Sequence, residues 1–183
     1  MINRIAENAL KRLASQFPVV GITGPRQSGK STLAKMTFPN KQYLSFDDKT
    51  LREIASSNPK DFLLAFPDGA IIDEAQKVPE IFDAVKYYVD SEKSEPGKYI
   101  LTGSSQFKLK ENMSDSLAGR VAFLKLLPFT IEELKSNKIL AKNAYEAMTK
   151  GNYPPLHDVR RNFIPEDWFE NYIETYLDLD VKE

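Results

Sequence analysis

The segment from Gly24 to Thr32 has residue types and a spacing that suit it to hold phosphate groups. It fits the pattern GxxxxGK[ST], in which glycines let backbone N–H groups approach phosphate oxygens without an intervening side chain. Lys30 can reach the β- and γ-phosphates of a nucleotide, and the Ser31 hydroxyl is placed to coordinate Mg²⁺. The predicted phosphate-loop residues are Gly24, Pro25, Arg26, Gln27, Ser28, Gly29, Lys30, Ser31 and Thr32. The alternative, a turn that fits by chance, is disfavoured because a predicted strand precedes the segment and a predicted helix follows it.

Two acidic residues, Asp73 and Glu74, come directly after the apolar run Ala70-Ile71-Ile72. Asp73 at a strand end can hold Mg²⁺ opposite Ser31, so Ser31 and Asp73 are the predicted metal ligands. Glu74 points differently and is the predicted base that polarises the water attacking the γ-phosphate. Two acids after a strand are common in loops, so this pair indicates a magnesium ligand and a base only in combination with the phosphate loop.

Hydroxyl groups follow another apolar run, Tyr99-Ile100-Leu101. Thr102 is the residue that we predict to sense the γ-phosphate. Ser104 and Ser105 could act in the same way, but capping of a helix explains them equally well.

Arg120 stands just before a predicted strand. It can stabilise charge on the transferred phosphoryl group, either in its own subunit or in a neighbour. A surface salt bridge is the competing interpretation. The predicted catalytic set is Lys30, Asp73, Glu74, Thr102 and Arg120.

Apolar periodicity indicates the elements that position these groups. The helical spacing of the apolar residues Ile2, Ile5, Ala9, Leu13 and Phe17 predicts an opening amphipathic helix. Apolar runs predict strands at Val19–Thr23, Tyr43–Phe46, Ala70–Ile72, Tyr99–Leu101 and Val121–Leu124, with helical patterns such as Ile81–Val89 between them. This alternation predicts an α/β fold: a P-loop NTPase three-layer sandwich with a parallel sheet of about five strands, and ligands outside the carboxyl ends of the strands.

The patterns after Leu127 are helical only. They predict helices at about 131–140 and 141–150, a helix stop at Gly151, and a linker up to Pro155. From Trp168 to Leu177 an aromatic and aliphatic stripe recurs at spacings of three and four, and it must find a surface. In a longer protein we expect that surface to be a further C-terminal domain, and without such a domain the core or a second copy of the chain. We therefore expect a core domain at residues 1–134 and a helical C-terminal extension at residues 135–183, with a homo-oligomer as one outcome.

Composition excludes several kinds of chemistry. The 183 residues include no cysteine and one histidine, so disulfides, thiolate metal sites and histidine triads are not expected. A formal net charge of -1 provides no global attraction for nucleic acid or an anionic membrane, so any DNA contact would have to be local. No apolar run reaches transmembrane length, and Met1 to Phe17 lacks the apolar core of a signal peptide. A cytoplasmic location is the expectation.

Four motifs occur together and in order: Gly24 to Thr32, Ile72-Asp73-Glu74-Ala75-Gln76, Leu101 to Ser105, and Leu117-Ala118-Gly119-Arg120. The set resembles the prokaryotic ATPases of the AAA superfamily that carry a C-terminal domain of unknown function related to restriction endonucleases. The first two motifs correspond to Walker A and Walker B. The resemblance covers most of the chain, and the segment from Trp168 to Val181 resembles the opening of the C-terminal domain. The rest of that domain is the expected partner that this sequence lacks.

The resemblance implies an ATP-binding and ATP-hydrolysing module that uses ATP and Mg²⁺ and couples nucleotide state to an attached or partner domain. The preference for ATP over GTP rests on the resemblance alone, because no residue pattern here reads the base. Two alternatives stay open: a small-molecule kinase, and a module that binds ATP only to gate association. An acid directly after Asp73 favours transfer to water over transfer to an alcohol.

Overall fold

A computed structural model describes residues 2–91, 95–104, 109, 113 and 116–177. The chain divides into two compact units. The sheet unit contains the described residues of 6–24 and 30–126, and the helical unit contains 2–5, 25–29 and 127–177. The predicted division at residue 134 stays a prediction.

The sheet unit is built on five parallel strands in the order β2-β3-β4-β1-β5. Their bounds are β1 Val19–Thr23, β2 Gln42–Ser45, β3 Ala70–Asp73, β4 Tyr99–Thr102 and β5 Val121–Lys125. All five predicted strands are therefore confirmed, to within one residue at each end. The order places β4 between β1 and β3.

Helices cover both faces of this sheet because successive side chains of a buried strand point to opposite sides. On one face, Val20 and Ile22 of β1 pack with α1 (Ala6–Ala14) and α2 (Lys30–Thr37). On the other face, the alternate strand residues pack with helices α3 Lys49–Ser57, α4 Pro59–Leu64 and α5 Glu80–Ser91. The three-layer P-loop NTPase sandwich is confirmed.

Two helices between β2 and β3 were not singled out by the sequence patterns, although their start signals are legible. The Asp48 side chain accepts the N–H groups of Thr50 and Leu51 at the start of α3, at 2.8 and 3.3 Å. Asn58 caps α4 in the same way, and Pro59 occupies its first turn.

The helical unit contains short helices joined by turns. Their bounds are α6 Ile131–Ser136, α7 Ala144–Lys150, the 3₁₀ helix Pro154–His157, α8 Pro165–Tyr172 and the π-helix Ile173–Leu177. The predicted helix at 131–140 is too long, because Lys138 takes a left-handed φ of 58°. The next helix begins at Ala144, three residues after the predicted start, because Asn143 caps it there. It stops at Gly151 as predicted.

The aromatic stripe packs inside the helical unit. Trp168 and Tyr172 are buried with Leu156, and Tyr153 lies against both rings at 5.1 Å between centroids. Within the described ranges, no helix is long and apolar enough to cross a membrane.

Candidate functional site

The carboxyl ends of β1, β3 and β4 meet at one edge of the sheet, because parallel strands run in the same direction. Thr102 ends β4 and pairs in register with Ile22 of β1, and Asp73 ends β3. Since β4 lies between β1 and β3, the Thr102 hydroxyl is close to Asp73. These two residues and the start of α2 form the polar cluster of the sheet unit.

Three hydroxyl groups converge on the buried carboxylate of Asp73. The Ser31 hydroxyl donates to Oδ1 at 2.8 Å, and the Thr102 hydroxyl donates to the same oxygen. The Tyr43 hydroxyl donates to Oδ2 at 2.5 Å. Burial and this hydrogen bond raise the pKa of Tyr43 to about 12, so Tyr43 remains a donor at neutral pH. The predicted metal ligands Ser31 and Asp73 are thus in direct contact.

The Lys30 side chain is buried at the start of α2. Its ammonium group donates to the Gly24 carbonyl at 3.0 Å. At the end of β1, the Thr23 hydroxyl is fully buried and meets no partner among the described residues. The ammonium group of Lys30 thus contacts Gly24, the first glycine of the motif, and the Thr23 hydroxyl belongs to the residue directly before it.

Glu74 sits in a left-handed backbone conformation, with φ of 55°. Its carboxylate contacts residues that follow β3 and β4. Its Oε2 atom accepts the Ser104 hydroxyl at 2.9 Å and the Gln76 amide at 2.5 Å. A positive φ at a residue other than glycine is a strained conformation that often marks a functional site.

Gly103 allows the close approach of Gln76. A Cβ atom at position 103 would lie 2.2 Å from Gln76 Oε1. In this conformation the Gln76 amide that reaches Glu74 occupies space that a side chain at position 103 would take.

Residues 25–29 of the phosphate loop belong to the helical unit, where the loop is held from two directions. Arg4 donates to the Ser28 carbonyl at 2.9 Å, and the Tyr172 hydroxyl donates to the Arg26 carbonyl at 3.2 Å. The loop uses left-handed φ values at Gln27 (59°) and Gly29 (94°). The Ser28 hydroxyl is buried without a partner in the part of the chain that the structure describes.

Arg120 lies at the opposite edge of the sheet from Asp73. Its carbonyl accepts the N–H of Val19, the first residue of β1, so about four residues of strand, or about 13 Å, separate it from the carboxyl edge. Its guanidinium group forms a bidentate pair with Asp90, which lowers the pKa of that carboxyl and raises the pKa of Arg120. The structure does not bring Arg120 together with the other predicted catalytic residues of this chain.

The remaining predicted residues have simpler positions. Thr32 is exposed in the first turn of α2. Ser105 lies outside the described residues. Among those that are described, no group of three or more His, Asp or Glu side chains could hold a metal ion by itself. A single carboxylate and a hydroxyl do suit Mg²⁺ that is also bound by phosphate oxygens and water.

Several contacts of the site were missed by the sequence reasoning. Tyr43 resembles an ordinary strand residue, and the sequence assigns Gln76 no role beyond its place at the end of the Walker B motif. Arg4 occupies the polar face of the first segment, and Tyr172 belongs to a stripe that reads as core. Only Gln76 carried a signal, because it lies two residues after a predicted base.

A family model, described as an AAA domain, matches residues 16–135. The chain belongs to the AAA domain family. The restriction-endonuclease-like C-terminal domain stays a prediction.

Two mycobacterial proteins resemble the chain along nearly its whole length. An uncharacterised protein of Mycobacterium bovis and one of Mycobacterium tuberculosis are each 32% identical over 183 residues. The match covers 98% of this chain and 40% of each relative, so the chain spans less than half of their length.

Solved structures share the fold. The Walker-type ATPase PABY2304 of Pyrococcus abyssi has a TM-score of 0.61 and 19% identity, covering 100% of this chain and 74% of that one. AMPPCP-bound DnaA of Aquifex aeolicus has a TM-score of 0.53 and 14% identity, covering 93% of this chain and 62% of that one. Together with the family, these similarities show an AAA-type P-loop ATPase fold.

Proposed function

We propose that this chain binds ATP with Mg²⁺, hydrolyses its β–γ phosphoanhydride bond to give ADP and phosphate, and passes its nucleotide state to the segment that follows the core. The observation that carries the proposal is the convergence of Ser31 and Thr102 on one oxygen of Asp73. Membership in the AAA domain family supports nucleotide binding independently.

The spacing of the oxygens at Asp73 fits a magnesium ion. Neighbouring ligands of octahedral Mg²⁺, each about 2.1 Å from the metal, lie about 3 Å apart. Ser31 Oγ and Asp73 Oδ1 are 2.8 Å apart, so both can become ligands with little movement. When bound, the ion neutralises charge on the β- and γ-phosphate oxygens.

The proposed phosphate contacts come from the loop and from Lys30. The loop would supply the backbone N–H groups of Gly24 and of residues 26–29, because Pro25 has none. The positive end of α2 would also favour an anion. Lys30 is buried at the start of α2, and a triphosphate would offer its ammonium group acceptors of opposite charge. Thr102 would then contact the γ-phosphate from the tip of β4.

Glu74 is the proposed general base. Its donors among the described residues bind Oε2, which fixes the side chain and leaves Oε1 to orient a water molecule. Its left-handed backbone separates it from Asp73, so one acid can hold the ion while the other acts on water.

The proposed coupling to the following segment is carried by Arg26. The Tyr172 hydroxyl donates to the Arg26 carbonyl, and the Arg26 guanidinium group lies 5.4 Å from the centroid of the Tyr176 ring. A change of the loop on nucleotide binding would therefore alter the contacts of α8 and the π-helix. In a longer protein that segment would lead into the next domain.

The experiment is phosphate release from ATP without any acceptor, with and without Mg²⁺. We expect magnesium-dependent release in the wild type, normal ATP binding without turnover in Glu74→Gln, and a weakened magnesium dependence of binding in Asp73→Asn. Glu80→Gln, an exposed acid on α5, is the matched control. Turnover of Glu74→Gln at the wild-type rate would remove Glu74 from the base role. Release only when an alcohol acceptor is added would favour a kinase.

A further inference from the structure

Arg4 is buried in the helical unit, although it stands 20 residues before the phosphate loop. Its side chain is only 7% exposed and bonds several groups at once. It donates to the Ser28 carbonyl at 2.9 Å, to the Leu127 carbonyl at 2.7 Å and to Glu133 Oε1 at 3.0 Å. Its guanidinium carbon also lies 4.8 Å from the centroid of the Phe129 ring.

Glu133 fixes the orientation of this guanidinium group. Its carboxylate is 2% exposed and accepts the N–H of Ile5 at 2.7 Å and the N–H of Thr130 at 2.9 Å besides Arg4. A buried ion pair is stable when further hydrogen bonds satisfy both partners, and each oxygen of Glu133 has such a bond. The charge of Arg4 is therefore neutralised at short range, and its contribution to the loop is geometric.

A phosphate loop needs its carbonyl groups held on the outer side. A segment that turns successive N–H groups toward phosphate oxygens must turn carbonyls away from them. The Ser28 carbonyl is directed to Arg4, and a Cβ atom on the neighbouring Gly29 would lie 3.4 Å from Arg4 Nη1. Arg4 thus lies against the loop at the last two residues before Lys30.

We propose that Arg4 is a positioning residue of the nucleotide site: it acts through the Ser28 carbonyl to hold residues 25–29 in their phosphate-binding conformation. This inference rests on the proposed ATP binding. Glu133 holds Arg4 in place, so the loop depends on a residue 105 positions further along the chain. A guanidinium group is required, because the single ammonium group of lysine cannot match the fork geometry of these acceptors.

The competing explanation is a purely structural ion pair in the helical unit. Thr130→Ala separates the two cases. It removes the hydroxyl that accepts the Glu133 N–H in the capping box of α6, at 3.1 Å, but leaves the Thr130 N–H, Glu133 and the Arg4–Ser28 contact in place. A variant that merely destabilises the unit should resemble Thr130→Ala.

The first measurement is the dissociation constant of Mg-ATP for the 183-residue chain and its variants, at a temperature at which each is folded by circular dichroism. We expect Arg4→Ala to weaken binding about 10- to 100-fold, which corresponds to the loss of a hydrogen bond to a partly buried carbonyl. Arg4→Lys should recover only part of this loss. Thr130→Ala should bind within about threefold of wild type. Methylguanidinium at millimolar concentration should restore part of the affinity of Arg4→Ala, whereas sodium chloride at the same concentration should not.

The second measurement is amide hydrogen exchange of residues 25–29 without nucleotide. Faster exchange in Arg4→Ala than in Thr130→Ala is the expected result, and it can be read even if wild type fails to bind ATP. Failure of wild type to bind would overturn the proposed function alone. Equal exchange and equal affinity in Arg4→Ala and Thr130→Ala, or full recovery by Arg4→Lys, would overturn the role of Arg4.

Discussion

Gly103→Ala tests whether Glu74 is positioned by its neighbours. The new methyl group would lie 2.2 Å from Gln76 Oε1 and 3.1 Å from Gln76 Cδ. The described residues offer Gln76 Oε1 no hydrogen-bond donor, so none of their hydrogen bonds resists a movement of that atom away from the clash. Gln76 would have to withdraw from Glu74, to which its amide donates at 2.5 Å.

The expected size follows from the distance. Gln76 Oε1 must move by about 1 Å to reach ordinary van der Waals contact, and Glu74 loses one of its fixed donors. A displacement of about 1 Å at a reacting group can reduce a rate by about 100-fold. We therefore expect kcat for ATP hydrolysis to fall by about 10- to 100-fold, while the dissociation constant of Mg-ATP changes less than about threefold, because Lys30 and Ser31 are untouched.

A double-mutant cycle with Gln76→Ala isolates the cause. Gln76→Ala removes both the clash with Gln76 and the hydrogen bond, and it leaves only the 3.1 Å approach of the new methyl group to Leu109 Cδ2. Adding Gly103→Ala to it should therefore lower kcat little further. Steady-state phosphate release gives the rates, and thermal unfolding of each variant controls for loss of fold. An unchanged kcat in Gly103→Ala, or a loss of equal size in the Gln76→Ala background, would refute the positioning of Glu74 by Gln76.

Three further predictions concern other parts of the chain. Arg120→Ala should leave ATP hydrolysis unchanged in dilute protein, because Arg120 lies at the opposite edge of the sheet; a large loss at all protein concentrations would contradict this placement. Burial lowers the pKa of His157, so its contribution to stability is present above the unfolded pKa of about 6.5 and is lost as the pH falls below it. The thermal unfolding temperature should therefore fall between pH 7 and 5, and it should fall less in His157→Gln. Parallel falls in the two proteins would disprove the contribution of His157. Tyr172→Phe should reduce the ATP-induced change in amide exchange of residues 165–177, and an undiminished change would exclude the Tyr172 hydroxyl from the coupling.

His157 shows why protonation is costly at this position. Its Nε2 donates to the Gly151 carbonyl at 2.9 Å, and its buried Nδ1 meets no partner among the described residues. A second proton would place an unsatisfied N–H at Nδ1. His157 is the one histidine of the chain, so the pH range from 7 to 5 isolates its effect from that of other histidines.

The three central strands and their polar ends could be predicted from the sequence because β1, β3 and β4 are buried on both faces. A continuous apolar run such as Ala70-Ile71-Ile72 has few other interpretations, and the next residue must emerge at the carboxyl edge. The placement of Asp73 and Thr102 at one edge follows from the parallel direction alone. Their direct contact could not be predicted, because the strand order depends on how the helices pack.

Contacts between distant segments were not legible. Tyr43 reaches Asp73 across 30 positions, and Arg4 reaches Glu133 across 129. No periodic pattern distinguishes Tyr43 from a core residue, or Arg4 from a solvated arginine on a polar helix face. The ends of helices also escaped prediction where a single residue, such as Lys138, left the helical conformation.

The most direct test of the central claim is equilibrium binding of Mg-ATP to wild type and to Lys30→Ala. The buried ammonium group of Lys30 is the proposed charge contact to the β- and γ-phosphates, and it lies beside the Ser31–Asp73 pair that would hold the ion. We predict magnesium-dependent binding by the wild type and loss of most of the affinity in a folded Lys30→Ala protein. Equal affinity in the two proteins, or binding that ignores Mg²⁺, would contradict the assignment of the nucleotide site.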